Sequence, residues 1–270
     1  MTHSIQRRRF LAGSAAAVAT SLSGLSSGRA GQSGKSQEFY ELRIYRIPTG
    51  QKQQIVSRYL QKALLPALNR LEIDRVGAFT QMADKSVPSD HSLFVLIPYP
   101  TLVARAQLNS ALAADRSYQR AAAEYFGLPK KDPAYKRIQS YLMKAFAGMP
   151  VIELPEQTAA KKPRIFELRT YESHNEEKAR LKVDMFNSGE IDVMRDVKMA
   201  PVFYGEMLVG DNVPCLTYML SAPDIEVHKA HWKAFIRHPE WQRMKSLAKY
   251  KETVSKISKW FLTPTKFSQI

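Results

Sequence analysis

Two short stretches of the sequence carry the same three polar side chains at the same spacing, and these side chains could bind a ligand. The first stretch contains Glu41, Arg43 and Tyr45, and the second contains Glu167, Arg169 and Tyr171. Matching residues lie 126 positions apart (167 − 41), which is typical of a duplicated unit. Arginine can hold a carboxylate through two parallel hydrogen bonds, and tyrosine supplies a hydroxyl and an aromatic face. Both trios are therefore candidate ligand-binding residues.

The alternation of polar and apolar residues around each trio predicts a β-strand, with the trio on one face. If Phe166 and Leu168 pack on helices, the trio containing Arg169 faces the interior of the sheet assembly. A buried arginine needs a paired charge, and Glu167 on the same face is the obvious partner. Two interpretations stay open: a structural Glu–Arg–Tyr network, which we favour, and an anion site with Arg169 as anchor and Tyr171 as its wall.

Further polar residues lie on two other predicted elements. Tyr204 and Glu206 share a face of a later strand and are further candidate ligand-binding residues of the barrel interior. Glu206 could act as a base near Arg169 or simply be a surface or paired carboxylate. His228 and His231 lie on one helix, but the sequence shows no third ligand at a zinc or iron spacing. We predict no metal site and interpret these histidines as exposed or capping residues. We interpret Trp232, Phe235 and Trp241 as core residues under the sheet.

Composition narrows the classes of function. The hydrophobic fraction of 44% is that of a globular protein, and the single cysteine, Cys215, allows neither an intrachain disulfide nor a cysteine-based metal site. The sequence contains no glycine-rich phosphate loop and no Gly-x-Ser-x-Gly motif. The positive charge is spread along the chain, so we expect no nucleic-acid partner.

The N-terminus resembles an export signal. Arg7-Arg8-Arg9-Phe10-Leu11 is a twin-arginine motif, followed by a weakly apolar run and small residues near Ala30. The run is too short and too polar to span a bilayer, which needs about 20 apolar residues. We therefore expect an exported, periplasmic protein without a transmembrane segment. Without the four arginines of this leader, the net charge falls to about +11 (15 − 4).

The remaining chain predicts an α+β fold made of two tandem ferredoxin-like units, each with the order β-α-β-β-α-β. The predicted segments are a signal peptide at 1–30, a spacer at 31–37, a first unit at 38–155, a linker at 156–163 and a second unit at 164–270. Pro66 and Gly189 predict helix bends. The region 135–146 gives a mixed signal, and we place an edge strand of the first unit at 148–154. The two sheets would pair their bare faces into a barrel, within one chain or across a homodimer.

The second half resembles the NIPSNAP family. The resemblance rests on the stretches Phe166 to Tyr171, Pro201 to Glu206, Leu216 to Leu220, Trp232 to Phe235 and His238 to Trp241. It implies the fold of the dimeric α+β barrel proteins, a group that includes small monooxygenases and haem-handling enzymes, and it implies chemistry poorly. We expect a small-molecule-binding or protein-interaction role. The alternative is a monooxygenase-like or haem-linked enzyme; the sequence requires no cofactor and leaves haem open.

Overall fold

A computed structural model of the protein describes residues 36–83 and 90–270. The strands in this part of the chain are β1 (Phe39–Arg46), β2 (Gly77–Gln81), β3 (Leu93–Tyr99), β4 (Arg137–Ala145), β5 (Ile165–Glu172), β6 (Ala200–Val209), β7 (Cys215–Ala222) and β8 (Lys256–Pro264). The helices are α1 (Gly50–Tyr59), α2 (Leu65–Arg70), α3 (Leu102–Ala114), α4 (Arg116–Ala121), α5 (Ala123–Phe126), α6 (Glu156–Ala159), α7 (Glu176–Met185), α8 (Ile191–Asp196), α9 (Ile225–Arg237) and α10 (Pro239–Ser246).

The strands form one closed antiparallel barrel in the order β1-β3-β2-β8-β5-β7-β6-β4. Each half of the chain contributes four adjacent strands. The halves join where β2 pairs with β8 and where β4 pairs with β6. The barrel therefore closes within a single chain, which decides between the two closures that the sequence left open, and the expected α+β fold class is confirmed. A homodimer is not needed to complete the barrel and stays a prediction.

The two helices that follow β1 and β5 share an unusual feature. A π-helical segment, Leu60–Leu64, joins α1 to α2, and another, Phe186–Glu190, joins α7 to α8. Pro66 lies at the start of α2, and Gly189 has a φ of 143°. The bend expected at Gly189 is therefore present, whereas Pro66 follows a π-helical segment and its bend stays a prediction. Both segments occupy the same position in their halves, 126 residues apart (186 − 60).

Most of the barrel interior is apolar, with polar residues such as Thr170 and Thr217 at one end, and this corrects the expected orientation of the polar trios. Phe166 and Leu168 point into the barrel, where they pack with Phe79, Phe94 and other buried apolar residues. An eight-stranded barrel has just enough interior space for side chains, and apolar side chains fill it without burying unpaired charge. The trios therefore lie on the outer face of the sheet, against the helices.

Three further predictions from the sequence can be compared with the described part of the structure. The fourth strand of the first half is β4, not 148–154; β4 pairs with β1 and β6, so it is also no free edge. The linker at 156–163 contains the short helix α6. The expected signal peptide and most of the spacer lie outside the described residues. Among the residues described, no helix is long and apolar enough to cross a membrane.

Candidate ligand-binding cleft

An open cleft of about 1560 Å³ lies beside the outer face of the second-half sheet. Side chains of α9, of β8 and of the outer face of β5 line it, and the first half contributes Arg46, Gln81 and Asp90. Its lining includes Trp232, Trp241 and Trp260, which are all the tryptophans of the chain. A concave surface with aromatic walls and a few converging charges is the usual form of a small-molecule site.

Glu167 holds the centre of a buried hydrogen-bond network in this cleft. Its side chain is 2% exposed and accepts hydrogen bonds from Arg169 Nη1, from Trp232 Nε1 and from His228 Nε2, each at 2.9 Å. Burial raises the pKa of Glu167, but the hydrogen bond from His228 and the charge of Arg169 outweigh burial and lower it overall. Because the ionised carboxylate only accepts, His228 carries a proton on Nε2.

Arg169 is held beside aromatic faces and keeps part of its hydrogen-bonding capacity. Its guanidinium lies 4.4 Å from the ring centroid of Trp232 and 5.4 Å from that of Tyr171. The Nε atom is buried and has no hydrogen-bond partner among the described residues. Burial lowers the pKa of Arg169, but Tyr218, Tyr171 and Glu167 raise it above its ordinary value, so the group stays charged. The Nη2 atom makes no hydrogen bond among the described residues and is not fully buried, so it is the guanidinium donor that a bound anion could reach.

Lys182 and Glu190 form a second buried charge pair that lines the cleft, with Nζ and Oε2 2.6 Å apart. The ammonium lies 4.7 Å from the ring centroid of Phe186 and 5.4 Å from that of Trp241. Burial raises the pKa of Glu190, and Lys182 only partly offsets this effect. Close by, Tyr218 donates a hydrogen bond to the Tyr171 hydroxyl at 2.7 Å.

In the first half, the trio of Glu41, Arg43 and Tyr45 is surrounded by packed and hydrogen-bonded neighbours. Glu41 accepts hydrogen bonds from Arg43 and Tyr99 at 2.8 Å, from Ser140 at 2.7 Å and from Arg105 at 3.1 Å. Burial raises the pKa of Glu41, but these partners lower it to about 2. Tyr45 packs edge-on against Tyr135 in a buried apolar cluster. The same three residue types therefore form a packed structural network in one half and a cleft in the other.

The remaining predicted residues lie elsewhere. Tyr204 is buried in the aromatic cluster under the helices and donates to Met194 Sδ at 3.1 Å. Glu206 is exposed and is not among the residues that line the cleft, which corrects its suggested role as a base near Arg169. His231 is only partly buried. His228 is 3% exposed, so its interpretation as an exposed or capping histidine is wrong.

Sequence reasoning missed the site roles of His228, Trp232, Lys182 and Glu190. A signal for the charge pair was present, because the residues 126 positions earlier are Val56 and Leu64, both fully buried. Two charged residues at positions that are apolar core in the matching half indicate a special role. Trp232 and Trp241 line the cleft and are not fully buried core.

The arrangement does not fit a haem iron or another metal. His228 is the buried histidine of the cleft, and its Nε2 is already bonded to Glu167 and lies 3.0 Å from Trp232 Nε1. No cluster of three or more histidine, cysteine or acidic side chains suited to a metal occurs in the described ranges.

Residues 166–269 match the model of the NIPSNAP family. This range lies in the half of the chain that supplies most of the cleft lining. This match covers less than half of the chain. No curated protein matches the sequence.

Solved structures share the fold. A protein of Fusobacterium nucleatum, provisionally named a monooxygenase, has 9% identity and a TM-score of 0.55, covering 86% of this chain and 94% of its own. A similarly named protein of Lactobacillus acidophilus has 8% identity and a TM-score of 0.54, covering 85% and 94%. An uncharacterised NIPSNAP-like domain protein of Burkholderia xenovorans has 21% identity and a TM-score of 0.36, covering 39% and 88%. At these identities the first two show the α+β barrel fold alone.

Proposed function

We propose that the second-half cleft binds a small organic anion with a flat apolar body. The observation that carries this proposal is Arg169: a charged, mostly buried guanidinium that lies over Trp232 and whose Nη2 donors have no partner among the described residues. A carboxylate bound there would complete the hydrogen bonding of the guanidinium, and the aromatic walls would cover the rest of the ligand.

The charge of the cleft supports an anion. Its cationic lining residues are Arg46, Arg169, Lys182, Lys229, Lys233 and Lys259, and its acidic lining residues are Asp90, Glu167 and Glu190. The lining thus carries a net charge of about +3 (6 − 3) with histidine neutral. Glu167, Glu190 and Asp90 each pair with a lining cation, so the excess positive charge is carried by the exposed lysines of the lining, Lys229, Lys233 and Lys259.

Tryptophan fluorescence can test this proposal because all tryptophans line the cleft. We expect aromatic carboxylates such as 2-naphthoate to change the emission and the matching neutral amide to bind more weakly. Arg169→Gln should weaken carboxylate binding by about 10- to 100-fold, since a hydrogen bond to a charged group contributes about 1.5–3 kcal/mol.

The matched control is Arg43→Gln, which removes the same pairing in the closed half. It should leave binding unchanged while lowering stability by a similar amount. The proposal fails if both variants bind alike, or if the amide binds as well as the carboxylate.

A monooxygenase-like activity in the same cleft is a second candidate. The shared fold with two proteins of that provisional name supports it, as does Glu190, whose raised pKa suits a proton acceptor. Oxygen uptake with a panel of hydroquinones tests it: wild-type protein should consume oxygen, and Glu190→Gln should consume markedly less. Equal rates in the two proteins would remove this candidate.

We also propose export by the twin-arginine route, supported by the motif at Arg7 and Arg8. Fractionation of cells that express the full chain should find the protein in the periplasm. Replacing both arginines by lysine should retain it in the cytoplasm. Unchanged export of that variant would contradict the proposal.

A further inference from the structure

The first half of the chain forms the matching helices without a counterpart of the buried Lys182–Glu190 pair. Both halves contain the same helix, π-helical segment and helix, with bounds 126 residues apart (176 − 50 and 191 − 65). The corresponding residues of the first half are Val56 and Leu64, both fully buried in its core. Buried ion pairs are often no more stabilising than apolar residues of similar volume. One half of the protein therefore folds without such a pair. The presence of Lys182 and Glu190 beside the cleft needs another explanation.

The environment of the pair is that of a reactive amine. Lys182 is 5% exposed, lies among the rings of Tyr171, Phe186 and Trp241, and hydrogen-bonds Glu190 at 2.6 Å. Transfer of one proton from Nζ to the Glu190 carboxylate, which lies 2.6 Å away, would remove two buried charges at once. The resulting neutral amine is a nucleophile, and it lines the cleft.

We propose that Lys182 forms an imine with a carbonyl compound bound in the cleft, and that Glu190 carries the proton for this reaction. Glu190 takes a proton from the ammonium, and the Nζ lone pair attacks the carbonyl carbon to form a C–N bond. The carbonyl oxygen takes up the proton and gives a carbinolamine. A second proton from nitrogen then passes through Glu190 to the hydroxyl, the C–O bond breaks, and one water leaves. No electrons are gained or lost.

The charged groups around the pair would assist a carbonyl substrate that also carries an anionic group. Arg169 lies on β5 beside Tyr171, and the pKa of Glu190 reflects its charge as well as that of Lys182. An aldehyde or ketone with a carboxylate could contact Arg169 while its carbonyl approaches Lys182. This substrate class rests on the proposed anion site, whereas imine formation itself does not.

Reductive trapping of the full-length protein tests the inference. The probes are 4-formylbenzoate and benzaldehyde, each with sodium cyanoborohydride, followed by digestion and mass spectrometry. We expect Lys182 to gain the mass of the aldehyde less one oxygen atom, faster than the exposed cleft residues Lys229 and Lys233. Glu190→Gln should slow labelling of Lys182 by about tenfold or more. Labelling of the exposed Lys229 and Lys233 should be unchanged. Cooperative unfolding in guanidinium checks that the variant is folded.

The outcomes separate the two proposals. Labelling confined to Lys229, Lys233 and other exposed lysines would overturn the inference, even if 4-formylbenzoate still changes the tryptophan fluorescence. Equal labelling of Lys182 by both aldehydes would support the imine and contradict the anion site. Preferential labelling of Lys182 by 4-formylbenzoate, lost in Arg169→Gln, would support both. Unchanged labelling of Lys182 in Glu190→Gln would overturn the proton-transfer role of that residue.

Discussion

The correspondence between the two halves makes a sharp prediction about the stability of the Lys182–Glu190 pair. Lys182→Val alone places the residue of the first half at this position but leaves Glu190 buried without its partner. Breaking a buried pair in this way costs about 3–5 kcal/mol. The double variant Lys182→Val with Glu190→Leu restores the apolar solution found at Val56 and Leu64. We expect it to be as stable as the wild type or up to about 4 kcal/mol more stable.

The shorter valine also leaves a small cavity beside Trp241, which should reduce this gain by about 1 kcal/mol. Guanidinium unfolding of the wild type, both single variants and the double variant measures the four free energies, with equal slopes as the check on a two-state comparison. Burial raises the pKa of Glu190, so the folded state binds its proton more tightly than the unfolded chain does. The deficit of Lys182→Val should therefore grow as the pH rises from the unfolded pKa of the carboxyl through the folded value.

A double variant as unstable as either single variant would refute this reasoning. It would show that the second half needs the pair for its packing and would remove the main argument for a functional amine. A stable double variant that no longer traps aldehydes at position 182 would show that the pair serves the cleft and not the fold.

Two further predictions concern the matched halves. Gly189→Ala should destabilise the protein by about 1–3 kcal/mol, because φ is 143° there and a Cβ would lie 3.3 Å from Met244 Sδ. The reverse change at the matching position, Ala63→Gly, should cost about 1 kcal/mol by backbone entropy. Thermal unfolding measures both losses of stability. A loss for Gly189→Ala no larger than that for Ala63→Gly would contradict the conformational explanation. The low pKa of Glu41 contributes about 3 kcal/mol that is present above pH 4.5 and lost as the pH falls toward 2. Acid titration of stability should therefore be flatter for Glu41→Gln than for the wild type, and parallel curves would show that Glu41 is not the titrating group.

The sequence indicates where most of the strands and helices lie, but it does not indicate which face of a strand points into the barrel. The alternation around Glu167 correctly places a strand there, but Phe166 and Glu167 are both almost fully buried. A strand with the barrel interior on one side and helices on the other has two buried faces, and alternation alone does not say which is which. The packing capacity of the closed interior decides the matter, and it is a property of eight strands together.

Other parts of the site depend on contacts that no local pattern encodes. Glu167 meets His228 across 61 residues, so nothing near His228 indicates its burial. In β4, exposed and half-buried residues follow one another without clear alternation, so the sequence pattern does not indicate a strand there. The Lys182–Glu190 pair was visible in principle, since the offset of 126 residues aligns it with two apolar residues.

Strand β8 has a consequence for how the molecule is made. It is the last strand of the barrel, and it pairs both with β5 of its own half and with β2, where Phe79 meets Pro264 across 185 residues (264 − 79). While a ribosome is still synthesising the chain, β2 and β5 therefore each lack a neighbour, and unpaired strand edges invite association with other chains. One side of the cleft is also β8. The binding site thus comes into existence only when synthesis of the barrel is complete, and a ligand that binds it would favour the finished, closed molecule over every shorter intermediate.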